Sequence, residues 1–151
     1  MRPGIRLIVV SEPDDDQLFR FEINISNGQT VAALEFCGYA DNFAQWASGL
    51  TDFPKAVRDK VTYELGEVDK GELKCGYYLL LEAFCYDATG QSAIRVKVDK
   101  KFEIPAYESH EFFIKSEPAS INKLGQGLIK LNPLTRRNLS GYQTNGLGEK
   151  H

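Results

Sequence analysis

The chain of 151 residues has little of what most enzyme and metal sites are built from: two histidines, three cysteines and one tryptophan. His151 is the last residue and His110 stands alone beside a predicted strand, "HEFFIK". A general base can be a single histidine, but no Ser-His-Asp arrangement can be read from residues this scattered. Cys37, Cys75 and Cys85 are odd in number and lack metal or redox spacing, which marks them as reduced thiols of a cytoplasmic protein. Cys37 and Cys85 end predicted strands, where cysteine behaves as a small hydrophobe. No HExxH, CxxC or GxSxG occurs. The stretch "GYQTNG" at 141–146 has the outer spacing of a phosphate loop, but Leu147 and Gly148 follow where Lys and Ser/Thr are required. No catalytic residue, cofactor or metal site is therefore expected, and an enzyme is the least favoured class.

Long apolar runs are missing too. The early run "IRLIVV" (Ile5–Val10) is broken by Arg6 and followed at once by "SEPDDD", too short for a signal-peptide core or a membrane span. Positive charge is not in excess: 18 Lys plus Arg stand against 21 Asp plus Glu, for a net charge of −3. Phosphate contacts need a clustered basic face. The expectation is a protein partner, neither nucleic acid nor membrane, with self-association left open.

What is present is a globular composition, 42% hydrophobic and 26% charged, sufficient for one core. Phe19, Phe21, Ile23 and Ile25 alternate with Arg20, Glu22 and Asn24, a half-buried strand. Asn27-Gly28 reads as a two-residue hairpin turn. That turn sets Phe21 opposite Leu34, Ile23 opposite Ala32, Phe19 opposite Phe36 and Arg20 opposite Glu35. Asp41 or Asn42 can cap a helix carrying Phe43, Trp46, Ala47, Leu50 and Phe53 at helical spacing, which Pro54 stops. Val61, Tyr63 and Leu65 mark another strand, and Asp69-Lys70-Gly71 a turn. A second helix opens at Ser116-Glu117-Pro118 and buries Ile121, Leu124, Leu128 and Leu131; Gly125 and Gly127 within it allow close approach to the sheet.

The most apolar stretch is Tyr77–Val98, "YYLLLEAFCYDATGQSAIRVKV". A four-residue loop Asp87-Ala88-Thr89-Gly90 pairs Glu82 with Arg95 and gathers Leu79, Leu81, Val96 and Val98 on one apolar face. A three-residue loop with a bulge at Gly90 mixes charge into both faces, so the first register is preferred. The second face then carries Tyr78, Leu80, Glu82, Phe84 and Tyr86 beside Ala93, Arg95 and Lys97. It is read either as a partly wet sheet face with an ion pair or as a contact surface, since Tyr, Phe and Arg are enriched at interfaces. The candidate partner-binding residues are Asp14, Asp15 and Asp16 in the acidic turn, with Tyr78, Glu82, Tyr86, Arg95 and Lys97.

The fold class is α+β: a twisted antiparallel sheet of about seven strands in hairpins, able to curl toward a sandwich, with two helices on one face. Residues 1–134 form the domain and 135–151 a flexible polar tail. In order, the hairpin, "DNFAQWASGLTDFP", "VTYELG", the turn "YDATGQ", "HEFFIK" and "INKLGQGLIKLN" resemble the WapI-type and related small immunity proteins of bacterial polymorphic toxin systems. The resemblance implies a cytoplasmic, non-enzymatic protein that neutralises a cognate toxin domain by stoichiometric binding, with no catalytic residues to carry over. The alternative is a small-ligand-binding or accessory domain.

Overall fold

The computed structural model describes residues 2–66, 68–69, 72–73, 77–100, 104–131 and 138–139. The expected strands and helices are present. In chain order they are β1 (Gly4–Val9), β2 (Phe19–Ser26), β3 (Val31–Gly38), α1 (Ala44–Thr51), β4 (Lys60–Leu65), β5 (Val68–Asp69) and β6 (Glu72–Leu73). There follow β7 (Tyr77–Cys85), β8 (Ser92–Lys100), β9 (Glu108–Lys115), α2 (Pro118–Lys130) and β10 (Asn138–Leu139). Two antiparallel sheets result, ordered β10-β1-β2-β3 and β4-β7-β8-β9, with β5-β6 as a separate two-stranded ladder. The chain is an α+β fold. No helix among the described residues is long and apolar enough to cross a membrane. The expected polar tail lies outside the described residues, except that Leu139 and Asn138 pair with Leu7 and Ile8. The Lys70-Gly71 part of the expected turn also lies outside them.

One core joins both sheets and both helices. The first sheet contributes Leu7, Phe21, Ile23, Ile25 and Leu34, and the second Leu79, Leu81, Ile94, Val96 and Ile114. The helices add Trp46, Leu50, Ile121 and Leu124. Period-2 alternation is what lets each strand hand one face to this core and the other to solvent. Phe21, Phe36, Phe43, Tyr63 and Trp46 form a chain of ring contacts across it, with centroid separations from 4.9 to 5.9 Å along Phe21–Phe36, Phe21–Phe43, Phe43–Tyr63 and Trp46–Tyr63.

Three local expectations are corrected. The β2–β3 connection is a four-residue loop, Asn27 to Thr30, in which Asn27 Oδ1 accepts from the N–H groups of Gln29 (2.9 Å) and Thr30 (2.8 Å). Phe21 therefore faces Phe36, Ile23 faces Leu34, Ile25 faces Ala32 and Arg20 faces Cys37. The slip is two residues, so every side chain keeps its face. At α1, Phe43 occupies the cap position without a side-chain bond, because Asn42 Nδ2 donates instead to the Tyr63 hydroxyl at 2.6 Å. At Cys37 the side chain is exposed rather than packed.

Gly125 does allow a close approach, but to α1. A Cβ there would sit 2.8 Å from the Ala47 carbonyl oxygen and 2.8 Å from Leu50 Cβ. Asn122 fastens the same contact by donating to the carbonyls of Leu50 and Phe53, both at 2.9 Å. With α1 and α2 locked together against the core, no described element covers the opposite face of the β4-β7-β8-β9 sheet. Trp46 Nε1 donates to the Val61 carbonyl at 3.0 Å and pins α1 to β4.

Candidate functional site

The long hairpin is set by its turn. Asp87 Oδ1 accepts from Thr89 N (3.0 Å), Thr89 Oγ1 (2.7 Å) and Gln91 N (3.1 Å). Gly90 takes the left-handed conformation, φ +89°, which a side chain would resist. The Thr89 hydroxyl bond, with the backbone donors behind it, holds the Asp87 carboxyl below its ordinary value. Tyr86 N then donates to Gln91 O at 2.8 Å, and the preferred register follows, Glu82 opposite Arg95 and Leu81 opposite Val96.

Strand order now decides what the outer face displays, because directly opposed residues share a face. The row nearest the turn reads Lys60–Phe84–Ala93–Lys115 across β4, β7, β8 and β9. The next reads Thr62–Glu82–Arg95–Phe113, then Glu64–Leu80–Lys97–Glu111, and last Tyr78–Asp99–Ser109. Charge is graded along this face. Two lysines with no carboxylate flank Phe84 in the first row, Glu82 and Arg95 cancel in the second, and carboxylates exceed cations in the last two. The exposed aromatic rings, Phe113 and Tyr86, lie toward the cationic end.

There Phe84 and Phe113 meet edge to face, with centroids 5.9 Å apart. Phe113 is 52% exposed and Tyr86 46% exposed, so their rings are offered to solvent. Phe84, Tyr86, Ala93, Phe113 and Lys115 line an open depression of about 470 Å³. A second depression of about 470 Å³ adjoins it and shares Tyr86 and Lys115, adding Thr89, Gln91, Ser92 and Glu117. The Tyr86 hydroxyl donates to Gln91 Oε1 at 3.0 Å, which restrains its ring. Arg95 is anchored by Glu111 Oε2, at 2.7 Å from Nη2 and 3.0 Å from Nε. The arrangement is an apolar platform with exposed lysines at two corners.

The acidic end behaves differently. Tyr78 is buried, and its hydroxyl donates to Glu64. Burial, followed by that bond and the nearby carboxylate charge, pushes the phenol up to about 12. On β9, His110 Nε2 lies 3.0 Å from Glu108 Oε1, with Lys100 Nζ 3.9 Å from the same oxygen. The imidazole bond, with Lys100 behind it, holds the Glu108 carboxyl low. No group of three or more His, Cys, Asp or Glu side chains placed to hold a metal occurs among the described residues.

Of the residues singled out from sequence, Tyr86, Arg95 and Lys97 are on the exposed face together with Glu82. Tyr78 shares that face, but its hydroxyl is engaged with Glu64. Asp14, Asp15 and Asp16 sit on the other sheet, between β1 and β2, where Asp14 Oδ1 accepts from Asp16 N and Leu18 N, both at 2.9 Å. That carboxylate closes its own turn. Sequence reasoning missed Lys60, Phe113 and Lys115, which reach the site only through the β4–β7 and β8–β9 pairings. A separate groove of about 460 Å³ runs beside the helices, lined by Phe21, Asp41, Phe43, Leu128 and Leu131 among others.

No family model and no curated protein matches the chain. Among solved structures, WHY3 from Arabidopsis thaliana is similar at 10% identity and a TM-score of 0.46, over 85% of this chain and 79% of that one. The plant transcriptional regulator PBF-2 is similar at 9% identity and a TM-score of 0.47, over 88% and 78%. Neither is an immunity protein and both are from plants, which corrects the reading of a bacterial protein neutralising a cognate toxin. The toxin partner and the exclusion of nucleic acid are withdrawn with it. The likeness is too distant to carry an activity or a ligand across to this chain.

Proposed function

We propose that the chain is a binding protein rather than an enzyme, and that the turn end of its exposed sheet face receives single-stranded nucleic acid. The observation that carries the reading is the row Lys60–Phe84–Ala93–Lys115 with Phe113 beside it: two lysines bracket the Phe84 ring, and the row holds no carboxylate. Unstacked bases lie on aromatic side chains whatever their identity, while basic groups track the phosphates. A duplex keeps its bases stacked on one another and gives such a platform nothing to hold. The net charge of −3 does not oppose this, because the row nearest the turn carries no carboxylate and carboxylates outnumber cations only in the two far rows. The free thiols of Cys37 and Cys85 support a reducing, cytoplasmic setting.

Fluorescence anisotropy with labelled oligo-dT and oligo-rU, beside a duplex control, tests the reading. Single strands bind with a dissociation constant of about 10–100 μM at physiological salt, in the range of non-specific binders, and the duplex binds more weakly. Phe113→Ala and Phe84→Ala each weaken single-strand binding by about fivefold or more, the loss expected for ~1–3 kcal/mol of stacking per base. Affinity unchanged in both variants, or equal affinity for duplex, refutes the platform.

A further inference from the structure

We infer that β9 is a self-association edge, through which a second copy of this chain adds its own β9 antiparallel to make one continuous sheet. The inference does not depend on any ligand. Among the described residues β9 is the last strand of its sheet. Ser116 N donates to Ser92 O at 3.1 Å, and the β8–β9 register continues as Ile94–Ile114, Val96–Phe112 and Val98–His110. Hydrogen-bonded pairs recur every second residue in an antiparallel ladder. The main-chain groups of Ser116, Ile114, Phe112 and His110 are therefore spent on β8. Those of Glu111, Phe113 and Lys115 point outward, a ready template for another strand.

Side-chain order selects the partner. Across a twofold axis at Phe113, that residue faces the partner's Phe113, Glu111 faces the partner's Lys115, and Phe112 faces the partner's Ile114. Ring meets ring, opposite charges meet twice, and apolar meets apolar on the core side. Moving the axis one residue to Phe112 sets Glu111 against the partner's Phe113. Moving it to Glu111 sets two carboxylates directly opposite each other. Of these three registers the first alone is self-complementary, and in it the outward-pointing residues oppose one another as the ladder requires. Charged residues on an edge strand ordinarily repel added strands; here their spacing of four makes them match an inverted copy. Arg95 occupies Glu111 Oε2, leaving Oε1 for the partner's lysine. A five-residue strand pair buries less than the ~1,200 Å² of a stable interface, so the dimer is weak and concentration-dependent. It brings two Phe113 rings side by side and doubles the width of the aromatic face.

Sedimentation velocity and amide hydrogen exchange, both without nucleic acid, decide the matter. Wild-type protein sediments increasingly as a dimer as its concentration is raised toward the millimolar range. In parallel the amides of Glu111, Phe113 and Lys115 gain protection while those of Phe112 and Ile114 stay protected throughout. Glu111→Lys alone and Lys115→Glu alone are each monomeric, with unchanged far-ultraviolet circular dichroism. Mixing the two variants in equal amounts restores the dimer, because lysine then meets glutamate at both ends. A monomeric wild type, dimers in the single variants, or no recovery on mixing overturns the inference. A monomer that still binds single strands overturns it while leaving the platform intact.

Discussion

Glu82 stands directly opposite Arg95 on neighbouring strands, yet each side chain turns to the strand beyond. Arg95 donates to Glu111 on β9 at 2.7 Å, and Glu82 accepts from Thr62 Oγ1 on β4 at 2.9 Å. The register expected from the "DATG" turn is correct, and the ion pair expected from it is replaced by one with Glu111. Two separate side-chain links result, Thr62–Glu82 between β4 and β7 and Arg95–Glu111 between β8 and β9.

From this geometry Glu82→Gln costs less than about 1 kcal/mol, since the amide oxygen still accepts from Thr62 and exposed charges contribute little. Urea denaturation with an unchanged m-value measures it. A loss of several kcal/mol identifies Glu82 as a buried, obligatory charge and removes the solvent-facing assignment of this face.

The helix–helix contact makes an opposite prediction. Alanine at Gly125 gains about 1 kcal/mol of helix propensity, but its Cβ would press on the Ala47 carbonyl oxygen at 2.8 Å. Overpacking against backbone costs about 1–3 kcal/mol, so Gly125→Ala is net destabilising by about 1 kcal/mol. Thermal unfolding of the variant reads the sign directly, and a raised Tm means that α1 and α2 part without cost.

How much of this was legible in the chain depends on the range of the interaction. The β7–β8 register follows from alternation and one turn, because every strand partner lies close in sequence to Gly90 and a single apolar face is available. The β2–β3 register slipped because Asn27-Gly28 looks like a complete turn, whereas Asn27 uses its side chain to close a four-residue loop. The α1 cap failed because Asn42 has a tertiary partner, Tyr63, 21 residues away. For the same reason Tyr86 and Arg95 were visible as site residues, while Lys60, Phe113 and Lys115 were not. Their place beside Phe84 and Arg95 exists only once strand order is known.

Alkaline pH probes the acidic end of the sheet. Tyr78 has its pKa raised from 10.0 to about 12 by burial and its Glu64 bond. The folded state binds this proton more tightly than the unfolded chain, so stability falls as pH rises. The contribution is complete below pH 10 and is lost between about 10 and 12. Denaturant midpoints for wild type should drop across that window, and those for Tyr78→Phe should drop less. Parallel curves for the two proteins remove Tyr78 from the account.

Salt dependence separates the two kinds of group on the platform. Each phosphate neutralised on a single strand contributes about −0.7 to the slope of log K against log salt. Lys60 and Lys115 flank the rings in one row, so oligo-dT binding has a slope of about −1.4, shallow beside that of strongly basic proteins. Lys115→Ala and Lys60→Ala each reduce the slope by about 0.7. Phe113→Ala lowers affinity at every salt concentration and leaves the slope unchanged, because stacking releases no counterions. Anisotropy titrations at several salt concentrations give all four slopes. A slope insensitive to both lysine variants shows that the phosphates lie elsewhere, even if the bases still stack on Phe84 and Phe113.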